Sequence, residues 1–183
     1  MDALVIDPVL ARACGAALAV ILIVGAWQKL RDLAVFEASV ELYRLLPEAL
    51  VPLFARLFPV LEAMAGVALL FDASRSLGLA LGLLVLGAAT LGVAINVSRG
   101  HTEIDCGCGG AEGHTRLSLA LVARNLVLLG MLVAGAQFGS ERALVWIDYL
   151  SVAGGTLMLL TLYAAANQLI ANHPHLAQMR SGS

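Results

Sequence analysis

Five long runs of apolar residues dominate the chain, and the polar residues are confined mainly to the gaps between them. The runs cover residues 9–30, 51–71, 77–97, 117–138 and 146–170. Each is close to the ~20 residues that cross ~30 Å of hydrocarbon at 1.5 Å rise per residue. They are continuous rather than alternating and rich in Leu and Ala, which predicts helices and not strands. The expected fold is all-α: a polytopic membrane helix bundle of about five spans, a four-helix core plus one, in a single membrane-embedded unit over 1–172. A polar tail, 173–183, is expected to fray.

Between the first two runs, residues 32–48 follow a different pattern. Phe36, Val40, Tyr43 and Leu46 recur near helical spacing, with Glu37, Glu41 and Arg44 between them. This predicts a short amphipathic helix at the membrane interface, ended by Pro47. The start of the chain carries two aspartates and no basic residue before Arg12, so the first run reads as a retained helix and not a signal peptide. Gly78–Gly82 and Gly154-Gly155 supply small residues where helix backbones can approach closely in lipid.

Composition supports the membrane reading. Hydrophobic residues make up 60% of the chain, charged residues 13%, and the mean hydropathy is +0.89. Soluble domains carry about 25% charged residues, too many for this chain to match. The net charge of −2 says little about partners; no basic tract marks a nucleic-acid partner, which leaves the lipid bilayer. With five crossings, one face holds Lys29, Arg31, Arg44, Arg99, Arg116 and Arg180, and the other Arg12, Arg75 and Arg142. That bias favours the cytoplasm for the first face, and both orientations stay open.

Ionisable residues inside such segments are costly and point to function. Glu62 in the second run and Arg124 in the fourth fall at similar depth below the more basic face, which predicts an ion pair between them. Asn96 and Asn125 lie in the same half. The four residues define a polar cluster beneath the loop 99–116. That loop contains Cys106 and Cys108, with five glycines, two histidines and three acidic residues.

A Cys-Gly-Cys pair closes a very small ring, made accessible by the glycine, and suits thiol–disulfide exchange. His101, His114 and Arg116 favour a thiolate nearby, while Asp105 opposes it at Cys106. Two alternatives stand beside this. His101, Cys106, Cys108 and His114 have the ligand types of a zinc site, at a spacing shorter than usual; and the loop could be a structural turn. Cys14 reads as a small buried apolar residue far from the pair.

These residues, taken in order, resemble a known family. Lys29-Leu30-Arg31-Asp32, Tyr43-Arg44-Leu45-Leu46-Pro47, Glu62, Asn96, Arg99-Gly100, Asp105-Cys106-Gly107-Cys108 and Arg124-Asn125 follow the pattern of the MauE family, itself similar to the DoxX-like membrane proteins. Gly109 departs from the bulky aromatic that many relatives carry there. The resemblance implies a multi-pass protein of the bacterial inner membrane that helps mature methylamine dehydrogenase. It would act in processing, transport or disulfide maturation of the β subunit, beside the thioredoxin-like MauD, with Cys106 and Cys108 as a redox pair. The alternatives are a non-catalytic membrane scaffold or export subunit with structural cysteines, and a DoxX-like thiol oxidoreductase that uses a quinone.

Overall fold

The structure is a computed structural model that describes residues 7–101, 104, 116–136 and 145–181, with side chains reported up to Asn172 except that of Ala136. Cys106, Cys108 and His114 lie outside the described residues. Six α-helices account for almost all of it: α1 (Pro8–Arg31), α2 (Leu33–Leu42), α3 (Val51–Leu70), α4 (Arg75–Ser98), α5 (Leu119–Ala136) and α6 (Trp146–Ser181). Four of them, α1, α3, α4 and α6, are long and apolar enough to span a membrane, and α5 is a shorter apolar helix.

Local chemistry explains where the helices start. Asp7 caps α1 by accepting the Val9 N–H at 2.8 Å, and Pro8 at the first helical position lacks an N–H that would otherwise go unused. At the start of α6 the carboxylate of Asp148 reaches back to the Val145 N–H at 2.9 Å, the carboxylate half of a capping box. Arg12, Asp72 and Arg75 form an ion-pair cluster where α1 begins and α4 starts.

Helices α1, α3, α4 and α5 form a four-helix ring in which α1 packs on α3, α3 on α4, α4 on α5, and α5 back on α1. The pairs α1/α4 and α3/α5 therefore stand on the diagonals. α6 lies outside the ring against α1, with light contact to α5. Helix α1 thus touches three other long helices, and its Ala17, Leu18 and Ala19 are completely buried.

Small residues set the closest approaches. A Cβ on Gly66 would stand 2.8 Å from Ile23 Cγ1 and 2.9 Å from the Ala19 carbonyl oxygen, so α3 meets α1 almost backbone to backbone. Gly135 meets Gly15 in the same way across α5 and α1, with 3.0 Å between its notional Cβ and the Gly15 nitrogen. Gly78 and Gly82 serve different neighbours, the end of α3 and Leu132 of α5. Because the obstacle at Gly66 includes backbone, Gly66→Ala should force α1 and α3 apart. It is expected to cost about 1–3 kcal/mol, measurable as a lower thermal midpoint of the detergent-solubilised protein.

Two expectations are corrected here. The amphipathic helix ends at Leu42 and not at Pro47, because Arg44 adopts a left-handed backbone (φ +49) that breaks the helical path. Pro47 instead precedes a single 3₁₀ turn, Glu48–Leu50, that leads into α3. The polar tail does not begin at the end of the last run: α6 continues to Ser181. Good helix formers such as Leu176, Ala177, Gln178 and Met179 follow Pro174, so the one missing N–H does not end the helix.

Candidate functional site

Deep in the half of the bundle toward which α1 ends, the ring encloses a cavity of about 850 Å³. Its walls come from the second half of α1, the first halves of α3 and α5, the second half of α4, and the second half of α6 within its described side chains. Helix α2 contributes Phe36 and Val40, joined by Tyr43 and Leu46 just beyond its end. The apolar stripe read from the sequence therefore faces the cavity. Phe36 is buried and packs with Ala55, Phe58 and Val85, so α2 is a wall of the bundle as well as an amphipathic helix.

Lys29 and Glu62 form an ion pair in the wall of the cavity. The Lys29 ammonium donates to both carboxylate oxygens of Glu62, at 3.0 and 2.8 Å, and to the Gly25 carbonyl at 3.4 Å. Both side chains are buried, at 6% and 9% exposure. The faces of Phe36 and Phe58 lie 5.8 and 5.9 Å from the ammonium, within range of a cation–π attraction. Gly25 makes the pair possible, since a Cβ there would stand 3.0 Å from Glu62 Oε1.

This partner differs from the one expected. Glu62 and Arg124 do come to a similar level: Glu62 is opposite Gly25, and the Gly15/Gly135 contact brings Asn125 opposite Gly25 as well. However, α3 and α5 are diagonal in the ring, and the carboxylate turns sideways to α1. Arg124 instead donates through Nε and Nη2 to Asn125 Oδ1, at 3.2 and 2.8 Å, and through Nη1 to Asn167 Oδ1 of α6 at 2.7 Å. The Tyr163 ring lies 5.7 Å from its guanidinium carbon. Tyr163 and Asn167 were not among the candidate residues. Lys29 was legible as a polar end of the first run in the same half and as part of the family motif, but not as the partner of Glu62, and the α6 residues carried no signal without the bundle's angular order.

Asn96 is completely buried at the end of α4. Its amide nitrogen donates to the Gly92 carbonyl at 3.0 Å, and its oxygen lies 3.4 Å from His101 Nδ1. The loop that follows is closed at its root, because the Leu117 N–H donates to the Ile104 carbonyl at 3.1 Å. Ile104 packs with Val93, Leu117 and Leu121, and Val93 and Leu121 also line the cavity. Both ends of the loop are therefore fixed at the cavity end of the bundle. Of the possible zinc ligands only His101 is described, and no group of three or more His, Cys, Asp or Glu residues converges among the described residues. Cys14 is a free, buried thiol in the opposite half of α1.

Long apolar helices around a cavity with charged and amide walls define the class: a polytopic α-helical membrane protein with an intramembrane polar site. Comparison with known proteins then gives the family. The family described as "Methylamine utilisation protein MauE" matches residues 7–138, and the chain belongs to it. Among its relatives, the methylamine utilization protein MauE of Methylophilus methylotrophus is 33% identical, over 93% of this chain and 90% of that protein. That of Paracoccus denitrificans is 35% identical over 87% and 88%. That of Methylorubrum extorquens is 37% identical over 90% and 83%. No solved structure matches. The matched segment ends before α6, so Tyr163 and Asn167 lie beyond it.

Proposed function

We propose that the protein serves methylamine utilisation as a maturation factor in the bacterial inner membrane. It acts in processing, transport or disulfide maturation of the β subunit of methylamine dehydrogenase, with MauD as a thioredoxin-like partner. Cys106 and Cys108 are its working groups, exchanging thiols and disulfides with the partner or the subunit. Family membership supports the pathway. What supports the site is the bond between Leu117 and Ile104, which holds the described residues on either side of 105–115 at the cavity end of the bundle.

Replacing both cysteines by serine tests this in cells that depend on the protein. The expected result is a loss of at least about tenfold in holo-dehydrogenase with correct disulfides. Normal accumulation would sink the redox role and leave a scaffold or export subunit with structural cysteines. A second reading, a quinone-linked thiol oxidoreductase, draws on the cavity. Its volume lies in the ~300–1,000 Å³ range of small-molecule sites, and it combines apolar walls with Arg124, Asn125 and Asn167. That reading requires quinone to copurify with the protein.

A further inference from the structure

Arg124 sets the direction of two amides in the cavity wall. Its Nε and Nη2 both donate to Asn125 Oδ1, and its Nη1 donates to Asn167 Oδ1. A guanidinium cannot accept a hydrogen bond, so each amide must turn its oxygen toward Arg124 and its NH₂ group away. Asn125 is only 3% exposed and lines the cavity, yet among the described residues no acceptor meets its NH₂ group. Asn167 lines the same cavity, and its NH₂ group likewise has no described acceptor. A buried donor without an acceptor is costly and calls for an explanation. Two of them on one guanidinium, beside one cavity, make a wall built to donate.

The cavity also opens sideways. Val20 and Val24 of α1 line it and are at the same time exposed, at 38% and 47%. They stand roughly 10–17 Å short of the end of α1 at 1.5 Å per residue, which is the depth of acyl chains and not of headgroups. Leu22, Leu86 and Leu128 form the apolar floor, where the cavity meets the core of the bundle. A molecule in this space therefore meets donors on one wall, hydrocarbon below, and lipid at the opening.

We propose that the cavity binds a long-chain carboxylate, whose head-group oxygens accept from the NH₂ groups of Asn125 and Asn167 and whose alkyl chain leaves past Val20 and Val24 into the bilayer. An ionised carboxylate is acceptor-only and has two oxygens, one for each amide. Each amide already accepts from a guanidinium, which polarises it and makes its NH₂ group a stronger donor. The charge of Arg124, one hydrogen bond behind both amides, favours an anion at a depth where anions are otherwise costly. The opposite wall does not repel it, because the Glu62 carboxylate is bound through both oxygens to Lys29. An oxidised quinone would accept from the same groups, but its reduced form carries hydroxyl donors, and both amide oxygens are bonded to Arg124. The site lies wholly in the helices and holds whatever the thiols do.

Binding of radiolabelled palmitate to the full chain, purified in a neutral detergent at pH 8, tests this. Binding should saturate, and methyl palmitate, with the same chain and no charge, should compete at least about tenfold more weakly, the difference expected for a charge-assisted head-group contact. Asn125→Asp keeps an oxygen for Arg124 and replaces the NH₂ donor by a second oxygen. It should weaken palmitate binding at least about tenfold, while the thermal midpoint without palmitate does not fall. Binding that fails to saturate, an ester that competes within about twofold of the acid, or Asn125→Asp binding within about twofold of the parent would overturn the proposal. So would a long-chain quinone that displaces palmitate at lower concentration than palmitate itself, which would give the head-group site to the quinone reading. If Asn125→Asp lowers the thermal midpoint, the acid and ester compared on the parent chain decide the matter alone.

Discussion

Glu62→Gln is expected to destabilise the bundle by about 3–5 kcal/mol, the usual cost of removing one partner from a buried ion pair. The Lys29 ammonium, at 6% exposure, would then face a neutral amide in place of the carboxylate. Phe36 and Phe58 would still attract it, but each such contact contributes on the order of 1 kcal/mol. Lys29→Met should cost a similar amount with the sign of the stranded charge reversed. The double replacement Lys29→Leu with Glu62→Leu should recover most of the loss, because neither charge then has to be stripped of water. Thermal midpoints of the four proteins in one detergent give the comparison. If Glu62→Gln costs less than about 1 kcal/mol, the pair does not hold α1 to α3.

Arg124→Met should release the second half of α6. Within the membrane-embedded part of α6, the Arg124–Asn167 hydrogen bond at 2.7 Å and the Tyr163 face are polar ties to the ring, whereas Gly155 approaches α1 through the Ala13 methyl. A hydrogen bond from a charged donor contributes about 1.5–3 kcal/mol, and the replacement also strands the Asn125 and Asn167 oxygens. The expected signature is faster amide exchange over 160–172 with 146–157 little changed. Asn167→Leu should reproduce it, and the double change should add little if the two residues act through one bond. Equal exchange along the whole helix would remove Arg124 as the tie.

The parts of this protein legible in its sequence are those set by distance along the chain. Runs of Leu, Val and Ala gave the spans, and the spacing of Phe36, Val40, Tyr43 and Leu46 gave a face that does meet the bundle. Depth also survived, since Glu62 and Arg124 come to about the same level. What could not be read is rotation around the ring. Counting residues gives no angle, so nothing in the sequence set α3 and α5 on a diagonal or turned Glu62 toward Lys29. Register hid a second point. α3 starts about one turn above the end of α1, which brings Arg56, a charge inside the second apolar run, level with Arg31 and leaves it exposed. The early stop of α2 was illegible for another reason: it depends on a left-handed arginine, a conformation that side chains other than glycine seldom signal.

The Lys29–Glu62 pair also orders events during synthesis. Lys29 leaves the ribosome first, two residues from the end of α1, where a long side chain can keep its ammonium at the lipid headgroups. Glu62 follows in the middle of α3, too short and too deep to escape the hydrocarbon on its own. The cation has already been made when the carboxylate arrives. Exchanging the two residues would invert that sequence and send an acid into the membrane with no counter-ion yet made. The position of each charge along the chain thus matters for insertion as well as for the finished bundle.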